Sequence, residues 1–163
     1  MSWLKGVFKG KEKRIPVALN EQNFRREVKQ FRGAVLVDVW GPNCAPCTKL
    51  APIMEDLAGR YHGKVKVCEL NASSAPRAAG SMGVRGTPTT VAFKNGAEIG
   101  RIVGWKPLSF WTQMIESEFA EYVSGEVTPQ EAEKSVGPEG ASSARKLNTK
   151  AAKKAAKKAR KKK

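Results

Sequence analysis

The sequence predicts an α/β fold: a central mixed β-sheet flanked by helices, in the order βαβαβαββα. Three observations carry that prediction. AVLVDVW, residues 34–40, is a nearly continuous apolar run, as a strand buried on both faces requires. Residues 45–61 set Leu50, Ile53, Met54 and Leu57 on a helical period. TTVAFKNGAEIGRIVGW, residues 89–105, holds two β-rich runs around Asn95-Gly96, a strong two-residue hairpin signal.

The elements follow in chain order. MSWLKGVFKGKEKR, residues 1–14, is a basic arm in which Trp3, Leu4, Val7 and Phe8 would share one helical face. IPVALN reads as a strand bounded by Pro16 and Asn20. Asn20 then fits a helix N-cap, with Phe24, Val28 and Phe31 at helical spacing and Gly33 as the stop. After the 34–40 strand comes the 45–61 helix, where Pro52 lacks a backbone N–H and predicts a kink, and Gly63 the stop. VKVCEL is a further strand, and Ser74 followed by Pro76 opens a short helix ending near Met82. Beyond the hairpin, Pro107 opens a helix with Phe110, Trp111, Met114, Ile115 and Phe119 on one face. A short acidic helix is expected after it, with Thr128 as cap and Pro129 at its first position. The expected organisation is an arm over residues 1–14, a domain over 15–123, a short helix and linker over 124–140, and a disordered Lys/Ala-rich tail over 141–163.

Charge divides the chain in the same way. Residues 1–14 carry five Lys/Arg and one Glu, residues 15–140 fourteen of each sign, and residues 141–163 eleven Lys/Arg and no acid. The body is therefore neutral between two basic ends. No long apolar run suggests a transmembrane helix, and the N-terminus lacks the pattern of a signal peptide. The expectation is a cytoplasmic protein whose thiols are kept reduced. Three cysteines are too few for a disulfide scaffold there, and a close pair in that setting points to catalysis or metal binding.

Cys44 and Cys47, in WGPNCAPC, stand where the buried strand meets the helix. A thiol at a helix N-terminus faces unpaired N–H groups and the positive end of the dipole, which favour thiolate below the usual pKa of about 8.5. Cys44 is nearest that end, and Cys47 lies one turn further in. This suits thiol–disulfide exchange, Cys44 attacking and Cys47 resolving. Two alternatives stay open: half of a zinc site, for which only Cys68 and His62 remain as further ligands, or ordinary core cysteines. Cys68, in an apolar strand, reads as an inert core residue, and His62 as a helix-end residue. Asp38 is a carboxylate inside an apolar strand, where burial disfavours its charge and raises its pKa.

At this point the chain resembles the thioredoxin family. VLVDVW, CAPC, LAPIMEDLAGRY, VRGTPT and FKNG occur in order at the family's spacing, and the resemblance spans about residues 15–122. It implies a thioredoxin fold and a protein-disulfide reductase active in electron transport and cell redox homeostasis. Cys44 and Cys47 would form the redox-active disulfide, Cys44 as nucleophile and Cys47 as resolving thiol. Asp38 would be the buried carboxylate beneath them and Pro88 a cis-proline facing the sulfurs. Trp40, Gly86, Thr87, Gly104 and Trp105 would belong to the surface that grips substrate. The implied partners are protein disulfides and an NADPH-linked thioredoxin reductase, with the protein a monomer. No metal and no bound cofactor are expected, and no nucleotide-binding motif is present.

Four positions depart from the family pattern. Asn43 stands where Trp is usual, Ala45 where Gly is common, Thr87 where Ile is frequent before the proline, and Glu69 where many members have Lys. With Glu69 there, Asp38 loses a favourable charge and its pKa rises further if the two lie close. Trp105 either restores the aromatic surface lost at Asn43 or packs against the last helix. The tail places lysines in pairs at 153/154, 157/158 and 161/162, and like charges at that spacing oppose an isolated helix. A polyanion would relieve the repulsion. The alternative function is thus a binding module that the tail delivers to nucleic acid or an anionic membrane.

Overall fold

A computed structural model of the chain describes residues 14–126. The expected arm face, the Thr128-capped helix, the linker and the tail lie outside the described residues.

Five strands form one mixed sheet: β1 (Val17–Leu19), β2 (Ala34–Trp40), β3 (Val65–Asn71), β4 (Thr89–Lys94) and β5 (Ala97–Val103). Their spatial order is β1-β3-β2-β4-β5. β3 runs parallel to both β1 and β2, while β4 is antiparallel to β2 and to β5. β2 is thus central, which explains its lack of apolar–polar alternation: Ala34 to Val39 are all buried.

Alternation along β2 feeds two cores. Ala34 and Leu36 pack on one face with Leu50, Met54 and Leu57 of α1 (Ala45–Arg60) and with Trp111 and Ile115 of α3 (Leu108–Glu118). Val35, Val37 and Val39 pack on the other with Phe24, Val28 and residues of α2 (Pro76–Ser81). Asp38 shares the parity of Ala34 and Leu36, so the sheet aims it toward the α1 side.

Two helical details differ from expectation. Asn20 closes a turn, its Oδ1 accepting from the N–H groups of Gln22 and Asn23 at 2.9 Å each, but it is not the helix N-cap expected of it: that residue is Phe24. The turn that follows is not α-helical either. It widens to a π-helix over Arg25–Lys29, with Gln30 N–H donating to Arg25 O at 2.8 Å. The wider turn takes up one extra residue while Val28 stays fully buried, and Gly33, at φ 147°, then leads into β2. The second difference is a short helix, α4 (Ala120–Ser124), which buries Tyr122. α1 itself runs through Pro52 without interruption.

The hairpin turn is as expected, with Asn95 at φ 53° and Gly96 at φ 82°. Gly96 is required there for a second reason: a Cβ would lie 2.0 Å from the carbonyl oxygen of Lys29.

Candidate active site

The site forms where β2 ends and α1 begins. Asn43 adopts φ 56°, a left-handed conformation that Asn tolerates better than most residues, and turns the chain so that Cys44 becomes the N-cap of α1. Pro46 sits in the first turn, where a missing N–H costs nothing. Cys44 and Cys47 are joined as a disulfide with their Cα atoms 5.2 Å apart. Cys47 N–H points at Cys44 Sγ at 3.3 Å, so the sulfur occupies the position of a capping side-chain acceptor. Cys44 is half-buried and Cys47 is buried. The sulfur nearest the helix end is thus the more accessible of the two.

A cleft of about 750 Å³ opens beside the disulfide, lined by Trp40, Asn43, both cysteines and three carboxylates: Asp38, Glu55 and Glu69. Asp38 is only 4% exposed. Its Oδ1 has no hydrogen-bond partner among the described residues, and neither has Thr90 Oγ1 on the adjoining strand. Burial first, and then the charge of Glu69, push the Asp38 carboxyl up to about 7; the nearby Thr90 hydroxyl opposes this, though not in hydrogen-bond geometry. Glu69 is itself held above the usual carboxylate range, by burial and then by Glu55. Glu55 was not singled out from sequence. The available signal was its place two turns after Cys47 on the stripe Cys47, Ala51, Glu55.

The Thr87–Pro88 peptide bond is cis. Gly41 lies against this loop: a Cβ on it would meet Thr87 Oγ1 at 3.4 Å. Thr89 Oγ1 donates to Gly86 O at 2.7 Å, and Gly104 N–H donates to Pro88 O at 2.8 Å. Gly86, Thr87, Pro88 and Gly104 are therefore brought together beside the strand end that carries the cysteines. Trp105 follows them and is 43% exposed, while Trp111 of α3 is fully buried, so the tryptophan that completes the α3 core is Trp111 rather than Trp105. Cys68 is buried, with its thiol pushed up to about 12 by burial. His62 is exposed beyond the end of α1 and lines a different groove, with Lys64 and Lys66.

The thioredoxin family profile matches residues 15–117. The chain belongs to the thioredoxin family. It is 36% identical over 98 residues to thioredoxin 1 of Nostoc sp., covering 60% of this chain and 92% of that one. It is 36% identical over 99 residues to the chloroplastic M-type thioredoxin of Chlamydomonas reinhardtii, covering 61% and 71%. It is 35% identical over 98 residues to a thioredoxin of Synechocystis sp., covering 60% and 92%. Family membership and the bonded cysteine pair make the protein a thiol–disulfide oxidoreductase of the protein-disulfide reductase type. Its partners, as for thioredoxins generally, are disulfide-bearing proteins and the reductases that recharge the dithiol. Among the described residues no helix is long and apolar enough to cross a membrane.

Proposed function

We propose the following division of labour in this thioredoxin. Cys44, as thiolate at the N-terminus of α1, attacks one sulfur of a substrate disulfide. A mixed disulfide forms and the first substrate thiolate leaves. Asp38 takes the proton of the Cys47 thiol. The Cys47 thiolate then attacks Cys44 Sγ, the Cys44–Cys47 disulfide closes and the second substrate thiolate departs. Two electrons pass from the dithiol to the substrate, and the oxidised pair is the state in the structure.

The single observation that supports this reading best is the Cys47 N–H aimed at Cys44 Sγ. A donor fixed at the positive end of α1 stabilises negative charge on that sulfur more than a neutral thiol. Pro88, Gly86, Thr87, Gly104, Trp40 and the exposed Trp105 form the surface that receives the substrate backbone. An NADPH-linked thioredoxin reductase returns the pair to the dithiol, and a reducing compartment such as the cytoplasm suits that cycle.

Insulin-disulfide reduction tests the assignment. Cys44→Ser is expected to abolish turnover. Cys47→Ser is expected to accumulate a mixed disulfide with substrate, visible by mass spectrometry. Trapping by Cys44 variants instead would reverse the two roles.

A further inference from the structure

The family resemblance leaves Glu69 unexplained, because many members carry a cation at that position. In the structure it is not a bystander. The parallel register sets Asp38 of β2 directly beside Glu69 of β3. Both belong to the sheet face that packs on α1: Leu36 and Val67, two residues before each, lie in that core. Glu55 reaches the same cleft from α1, on the stripe that starts at Cys47. Thr90, beside Asp38 on β4, brings a hydroxyl and no charge. Among the described residues, the titratable side chains lining the cleft are Asp38, Glu55, Glu69 and the two cysteines, with no Lys, Arg or His. Into this wall Asp38 presents an oxygen that no group among the described residues binds.

We propose that Glu69, backed by Glu55, is a positioning residue for disulfide reduction: standing beside Asp38 on the acidic wall, it sets the pH at which Asp38 takes the Cys47 proton and gives it back. Two carboxylates side by side in a poorly hydrated site do not ionise independently, and the pair keeps a proton to higher pH than either would alone. The pair holds the proton while the thiolate forms, and Glu69, which is half-buried and opens on the cleft, gives it a way out. The direction agrees with the raised proton affinities of both groups. A lysine in place of Glu69 would reverse it.

This inference rests on Asp38 acting as the base, and its test separates the two. The full-length oxidised protein is titrated by carbon-13 NMR at the Asp38 carboxyl, and the pH profile of insulin reduction is recorded for the same variants. Glu69→Gln is expected to lower the Asp38 midpoint, and the rising limb of the rate, by about one pH unit. Glu69→Lys should lower both further, and Glu69→Asp should restore them. A purely structural role would change the rate without moving either midpoint. If the limb vanishes in Asp38→Asn but stays in place in Glu69→Gln and Glu69→Lys, the inference is overturned while Asp38 keeps its role. If the limb survives in Asp38→Asn, both fall. Should the Glu69 variants fail to fold, Glu55→Gln must shift the Asp38 midpoint in the same direction by a smaller amount, and an unmoved midpoint overturns the inference.

Discussion

At the residue scale, Asn43 shows how one backbone conformation prepares a reactive sulfur. Its positive φ ends the loop after β2 and lets Cys44 cap α1. Residues branched at Cβ resist that conformation, whereas glycine accepts it freely. Asn43→Val is therefore expected to cost about 1–2 kcal/mol of stability, and Asn43→Gly only a few tenths. Urea unfolding of the oxidised proteins measures both, and equal losses would show that the backbone conformation is not what matters. The position was visible from sequence as a departure from the usual Trp, but its cause was not. An Asn before a cysteine carries no mark of the sign of φ; that depends on how tightly the strand end and helix start are joined.

At the element scale, the strands were the most legible parts. AVLVDVW became β2 residue for residue, and the Asn95-Gly96 turn fell where its composition put it. Both signals are local: a doubly buried strand must be apolar throughout, and a tight hairpin needs positive φ. The π-helical turn was not legible, because α- and π-turns use the same apolar residues and differ in where the next element must start. Nor was the packing of the hairpin tip on that turn. Gly96 faces Lys29 O so closely that Gly96→Ala has to displace backbone, and it loses its permitted φ as well. The expected loss is about 2 kcal/mol or more, well beyond an ordinary surface change. Thermal unfolding of Gly96→Ala beside Gly63→Ala, which has the same sign of φ but open space at its Cβ, separates the clash from the conformational cost. Equal melting temperatures would show that the contact is unimportant.

For the whole molecule, the chemistry at Asp38 links to global stability. Its carboxyl titrates at about 7 in the fold against an ordinary 3.8. Between those values the folded protein holds a proton that the unfolded chain has released. The contribution is therefore fully present below about pH 4 and is lost as pH rises through about 7. At about 1.4 kcal/mol per unit, the difference amounts to roughly 4 kcal/mol at alkaline pH. Asp38→Asn removes the charge that must be buried, so its advantage over the wild type should grow from pH 4 to pH 8 and then level off. Denaturant unfolding of the oxidised proteins at several pH values measures this, and parallel stability curves would rule out the buried titration. The disulfide motif, the buried Asp38 and the cis-proline segment were each legible as short sequence patterns. The acidic wall was only half legible: Glu69 stood out as a departure, but Glu55 joins it through the packing of α1 on β3.

The far end of β2 is fastened in several ways. Asn95 N–H donates to Gly33 O, Arg32 Nη1 donates to Asn95 O, Tyr122 Oη bonds Asn95 Oδ1, and Lys64 Nζ reaches Val123 O. All of these bonds lie at the end of the strand opposite the disulfide. On the proposed reading, a substrate chain laid across the disulfide end can tug at the loops it touches without loosening these ties, which hold the sheet in register at the other end.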